Sequence, residues 1–148
     1  MRDLSLPDLL KWLTGKHCTG IHRREEDSWE FLFNDRSSLT TSCLWRIVSK
    51  GRLALCDADD GQIFGLPARI DALAKAKLLL VGNIVRNVVI ADETADLRIS
   101  FENDSFLELI SNSSGYEAWQ AVIDDGQGQT SVVGLGGGGI AILSEKKP

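Results

Sequence analysis

The chain has 148 residues, of which 43% are hydrophobic and 25% charged, with a formal charge of −5. That length suits one domain able to bury a core of its own, and the acidic balance excludes a binder of nucleic-acid backbone, which needs a basic face. Met1 to Asp8 carries charges and Pro7 where an export signal needs an apolar core, and the longest apolar run, Leu78 to Val85, falls short of a membrane span.

Ser5, with Asp8 three residues on, makes a capping arrangement for a first helix. Pro7 suits its opening turn, Leu6, Leu9, Leu10 and Leu13 follow at helical spacing, and Gly15 ends it. Beyond Gly15 the pattern turns to period two. Lys16 to Ile21 reads as a first strand, and Trp29 to Phe33 as a second, alternating apolar and polar as a half-buried strand does. Asn34-Asp35 supplies a turn, Leu39 lies on a third strand, Trp45-Arg46 follows, and Arg52 to Cys56 with Ile63-Phe64 closes the series. Cys18, Cys43 and Cys56 are odd in number and lack a Cys-x-x-Cys pair, which points to reduced thiols acting as small hydrophobes in a cytoplasmic protein.

From Leu66 the same landmarks return in the same order. Leu66-Pro67 repeats Leu6-Pro7 and predicts a second helix through Ile70, Leu73, Ala74 and Lys77 to Leu80, with Gly82 in the terminating place. Pro67 to Gly82 exceeds Pro7 to Gly15 by about two helical turns, so the buried face keeps its direction and the longer helix could bridge the halves. Gly82 to Val85 answers Gly15 to Cys18, Leu97 to Phe101 answers Trp29 to Phe33, Leu107 answers Leu39, and Trp119-Gln120 answers Trp45-Arg46. The second copy carries additional residues before its tryptophan, including Ser113 to Glu117. Thr130 to Val133 and Ile140 to Leu143 end it. Asp59-Asp60-Gly61-Gln62 recurs as Asp124-Asp125-Gly126-Gln127, so both read as hairpin turns.

The expected fold is therefore α+β: two tandem helix-plus-antiparallel-meander repeats, residues 5–65 and 66–143 with a tail at 144–148, related by a pseudo-twofold and packed as one domain. About 8 to 10 short antiparallel strands and two helices are expected. Phe31, Phe33, Phe101, Leu107 and Trp119 should be largely buried, since such strands hide one face.

Several chemistries are tested by the residues and fail. Gly134 to Gly139 satisfies G-x-G-x-x-G, but Ile140 to Leu143 reads as a strand, leaving no helix N-terminus for a pyrophosphate; a hairpin or close backbone packing is the better reading. His17, Cys18 and His22 fall short of a metal site, because strand alternation puts His17 opposite to Cys18 and leaves only Cys18 and His22 on one face, so that Cys43 or Cys56 would have to join them to hold zinc. Asp57-Ala58-Asp59-Asp60-Gly61 echoes a calcium loop but lacks its position-5 ligand, its terminal glutamate and its helical frame. His22 to Asp27 is a mixed-charge hairpin end exposed to solvent. No cofactor and no metal are expected. Tyr116, Glu117 and Trp119 are the one cluster mixing aromatic surface with an acid in a loop.

Three stretches carry a resemblance: Phe101-x-Asn103-x-x-x-Leu107-Glu108-Leu109, Ser114-Gly115-Tyr116-Glu117-Ala118-Trp119-Gln120, and Gly136-Gly137-Gly138-Gly139-Ile140-Ala141-Ile142. Together they resemble a family of small bacterial proteins of unknown function, and Trp45-Arg46-Ile47 to Asp60-Gly61-Gln62 looks similar to the first half of the same family. The resemblance implies bacterial origin, a compact cytosolic fold and an association with proteins that neutralise secreted toxins. It supplies no catalytic residues.

The sequence favours a non-enzymatic protein that binds another protein, an immunity-type partner of a basic toxin domain, with neither nucleic acid nor membrane involved. Complementary carboxylates on a rigid scaffold would steer such a partner. Asp57, Asp59 and Asp60, Asp124 and Asp125, and Tyr116, Glu117 and Trp119 are the expected partner-binding residues. The alternatives are a module that binds a small ligand and a small hydrolase using acidic residues.

Overall fold

Alternating apolar and polar positions leave each strand one face to hide, and the chain hides them by laying one antiparallel sheet against another. The computed structural model describes residues 8–25 and 27–146. Eleven strands lie among them: β1 Cys18–Glu25, β2 Ser28–Phe33, β3 Ser37–Thr41, β4 Leu44–Ser49, β5 Arg52–Cys56, β6 Val85–Ile90, β7 Leu97–Phe101, β8 Ser105–Ile110, β9 Trp119–Asp124, β10 Gly128–Gly134 and β11 Ile140–Lys146. One sheet has the order β1-β2-β3-β9-β10-β11, the other β5-β4-β8-β7-β6. Every pairing is antiparallel.

The expected four-strand meanders do not form. After β3 the chain crosses to the other sheet at Ser42-Cys43, so β4 pairs with β8 instead of β3, and β3 takes β9 as its neighbour. The crossing is held by Thr41, whose hydroxyl donates to the Ala118 carbonyl at 2.8 Å and accepts from the Cys43 amide at 3.1 Å. A single four-stranded sheet would have left an apolar face open; crossing encloses it between two layers. Phe31, Ile47, Ile99, Phe101, Leu107, Leu109 and Ala121 are fully enclosed there in one contiguous cluster. Phe33 and Trp119, also expected in the core, are 4% and 2% exposed.

The α-helix labelled α1 spans Ala72–Leu80. It starts five residues after Pro67, capped by Asp71, whose carboxylate accepts from the Ala74 amide at 3.0 Å. A capping carboxylate offers an orphan helical donor a partner, which proline cannot, and it decides the start. Residues 62–70 instead form a loop closed by the amide of Gly61 donating to Ile70 and that of Ile70 donating to Gln62, both at 2.8 Å. Ala72, Ala76 and Leu80, four apart, face the core. The helix packs against β1 and β5, an outer strand of each sheet.

The predicted first helix is represented by helical Asp8 and Leu9 and a 3-10 turn at Lys11–Leu13 that buries Leu10 and Leu13. Its proposed cap and opening turn, Ser5 to Pro7, lie outside the described residues, as do Glu26 of the mixed-charge run and the last two residues of the tail. Gly15 and Gly82 both follow their helices in the left-handed region, φ +89° and +88°. No described helix is long and apolar enough to cross a membrane.

Candidate functional site

A cleft of about 540 Å³ lies beside the crossing between the sheets. Four segments wall it. The tip of the β1–β2 hairpin brings Arg23, Asp27 and Trp29; the crossing brings Ser42, Cys43 and Leu44; the turn after β5 brings Asp57 and Ala58; and the long link between β8 and β9 brings Asn112, Ser113, Tyr116 and Glu117.

Trp29 is placed by its strand: alternation turns it inward at 3% exposure, where its ring meets Trp45 edge-on at 4.9 Å. Arg23 lies over the Trp29 ring at 4.8 Å and pairs with Asp60. Tyr116 is 83% exposed, held where it is by Ser113, whose hydroxyl accepts from the amides of Gly115 and Tyr116. The Asp57 carboxyl accepts from the Ala58 amide at 2.9 Å, yet burial pushes its pKa above the ordinary carboxylate range. The Cys43 thiol is also pushed up, first by burial, and so is not a thiolate nucleophile.

The residues named from sequence separate into four groups. Asp57, Tyr116 and Glu117 meet in the cleft. Asp59 and Asp60 sit behind it and serve the fold: Asp59 accepts from the Cys56 amide, and Asp60 accepts from the Ala72 amide at 3.0 Å at the entry to α1. Asp57 to Asp59 is a 3-10 turn leading toward α1 and not the expected hairpin, because β5 is an outer strand with no following partner. Trp119 is in the core, donating its indole N–H to the Ala95 carbonyl at 2.8 Å, and offers a partner no surface. Asp124 and Asp125 do form a hairpin turn, but at the far end of β9, roughly 17 Å from Trp119 at strand spacing. There they line a separate shallow hollow with Asp35 and Arg36.

Arg23, Asp27 and Trp29 were not singled out as site residues from sequence. Asp27 stands in a run of balanced charges and Trp29 in a core-like alternation. The available signal was comparative, since Trp29 stands where the second copy has Leu97.

A second corner, on the other side of the 112–117 link, is shut. The turn after β10, Gly136–Gly138, presses its backbone on its neighbours: a Cβ on Gly138 would lie 1.6 Å from the Glu93 carbonyl oxygen, and one on Gly136 would lie 2.4 Å from the backbone of Gly115. The Gly137 amide donates to Ser113. Close backbone packing is thus what the glycine run does, and β11 follows it where a dinucleotide site would need a helix. Among the described residues no group of three or more metal-ligating side chains converges. Compared with family models, with curated proteins and with solved structures, the chain finds no match.

Proposed function

We propose that the protein is a cytosolic, non-enzymatic binder of another protein, an immunity-type partner that covers the surface of a basic bacterial toxin. The observation that carries this reading is the open cleft in which Asp57, Tyr116 and Glu117 gather with Asp27 and Trp29. It is a concavity lined by three carboxylates and the exposed Tyr116 ring, on loops that join strands of the two sheets. Aromatic side chains are favoured anchors at interfaces, and carboxylates raise the rate of encounter with a basic partner. The test is to express the product of the neighbouring gene and titrate it calorimetrically. The expected result is binding that weakens with salt, together with protection of cells co-expressing both. Absence of binding at low salt and of protection would refute it.

The cleft also has a place in a duplicated architecture, residues 5–65 and 66–143 about a pseudo-twofold. Strand pairings support that reading. Leu39 pairs with Ala121 and Thr41 with Trp119 in one sheet, as Leu107 pairs with Ile47 and Leu109 with Trp45 in the other. β1–β2 slips its register just after Cys18–Phe33, and β6–β7 just after Val85–Phe101. Gly15 donates to Val85 while Gly82 donates to Cys18, and His17 bridges Ile84 between them. On this reading each unit gives three strands to one sheet and the next two to the other, leaving β11 without a counterpart.

A further inference from the structure

We infer that β11 is the strand by which two copies of this chain associate, pairing antiparallel with itself about a twofold axis at Leu143. Among the described strands, β1, β5, β6 and β11 are the outer ones of the two sheets. Three of them carry the devices that keep an edge from accepting a further strand, a break in register and a charged side chain. β1 slips twice and carries Arg23 and Arg24; β5 lies opposite a slip between Ile47 and Val48 and carries Arg52; β6 slips between Val85 and Asn87 and carries Arg86. β11 differs on both counts. Its pairs with β10 run in unbroken register from Ile140 to Lys146, and its charges come only at the last two residues, Glu145 and Lys146.

The hairpin before β11 fixes what its outer side offers. The Leu135 amide donates to the Gly139 carbonyl, so by antiparallel alternation Ala141, Leu143 and Glu145 turn their backbone groups toward β10, while Ile140, Ile142, Ser144 and Lys146 turn theirs away from the sheet. The side chains also lack cover. Ile142 prolongs the enclosed row of Phe31, Leu39, Ala121 and Val132 yet is 54% exposed, and Leu143, on the opposite face, is 58% exposed. A regular outer strand, apolar on both faces, is a site of pairing with another chain. A second copy fits because the strand matches itself. Antiparallel pairing of Ile140–Lys146 about its middle residue sets Leu143 against the partner's Leu143 and Ile142 against the partner's Ser144, so that outward backbone groups meet outward backbone groups. It also holds the two Lys146 ammonium groups roughly 20 Å apart at strand spacing, so like charges do not meet. One strand covers less than the about 800 Å² per partner of a standard interface, which puts the association in the weak class. β11 contributes no residue to the cleft, and this surface is separate from the one on which the protein-binding reading rests.

Sedimentation velocity of the full chain from about 10 μM to about 1 mM, the span suited to a small interface, should show monomer passing into dimer. Leu143→Lys opposes two ammonium groups on the axis and should weaken association roughly tenfold or more. The position is exposed, so the far-ultraviolet circular dichroism should not change. Leu143→Cys would set two thiols across a non-hydrogen-bonded pair, with about 4.5 Å between Cα atoms, and under mild oxidant should give a disulfide-linked dimer severalfold faster than Glu145→Cys, whose thiol would face the partner's Ala141. A dimer that is insensitive to Leu143→Lys, or cross-linking no faster at 143 than at 145, overturns the inference. A chain that stays monomeric to about 1 mM also overturns it and leaves β11 to a strand of another protein.

Discussion

The two corners that flank the 112–117 link are assembled from the same kinds of part, a hairpin tip, a crossing between sheets and a 3-10 turn after a strand, yet one is shut and the other open. In the shut corner the turn is Gly136–Gly138 and its backbone meets that of Glu93 and Gly115 directly. In the open corner the turn is Asp57–Asp59, and its Asp57 and Ala58 line a cleft that remains between the segments. The buried tryptophans follow suit, Trp119 bonded to Ala95 and Trp45 without an acceptor among the described residues. The same scaffold becomes structural or receptive according to whether its turn carries side chains.

The core beneath should not distinguish the corners. Phe33 and Phe101 are 4% and 0% exposed on their strands, so Phe33→Ala and Phe101→Ala should each cost about 3–5 kcal/mol in urea titration. A loss under about 1 kcal/mol for either would break the parity on which the comparison rests. Gly138→Ala should break the shut corner. It places a side chain at φ +99° against the Glu93 carbonyl, and the combined backbone and overpacking penalties come to about 3 kcal/mol. Ala58→Gly in the opposite turn should change stability by less than about 1 kcal/mol.

The tryptophans sharpen the contrast at smaller scale. Replacing either by phenylalanine loses similar ring area, but Trp119→Phe also strands the buried Ala95 carbonyl, whereas Trp45→Phe removes a donor that has no acceptor. Trp119→Phe should therefore be the more damaging by about 1–2 kcal/mol in the same titration. Equal losses would mean that the Trp45 donor is satisfied in solution and that the corners are more alike than their hydrogen bonds indicate.

What could be read from sequence followed from properties that residues carry alone. Alternation at Trp29–Phe33 and Leu97–Phe101 gives the inward faces, Phe31, Phe33, Ile99 and Phe101 being buried as it demands, and helical spacing gives the burial of Leu10 and Leu13. The partner of a strand is not written in its own alternation: nothing in Ser37–Thr41 says that its neighbour will be β9, some 80 residues on by the numbering, and so the sheet crossing was missed. Leu66-Pro67 misled because proline permits a helix start without requiring one, and the carboxylate of Asp71 supplied the stronger cap. Of the cleft, Tyr116 and Glu117 are legible, beside Trp119, as a mixture of acid and aromatic, and Asp57 as one of a run of turn acids. Asp27 and Trp29 were not, since each looks ordinary until the hairpin tip folds against the 112–117 link.

The smallest effect separates two neighbouring aspartates of the open corner. Burial raises the Asp57 pKa, so ionising it opposes folding: the penalty is absent below its unfolded pKa and fully present once pH exceeds its raised folded value. Asp57→Asn keeps an oxygen for the Ala58 amide and removes the charge, so it should match wild type at low pH and exceed it at neutral pH by no more than about 0.5 kcal/mol after solvent screening. Asp60 runs the other way. The Ala72 amide first, and then Arg23, hold its carboxyl below the usual range, a contribution that is complete above the unfolded pKa and is lost as pH falls through the folded one. Asp60→Asn should thus lose up to about 1 kcal/mol at neutral pH, the difference from wild type closing as the solution is acidified. Urea titrations of both variants from pH 2 to 7 would show the two differences opening in opposite directions. If Asp57→Asn is instead less stable than wild type at neutral pH, that carboxylate is anchored like Asp60, part of the scaffold and not free to meet a cation in the cleft.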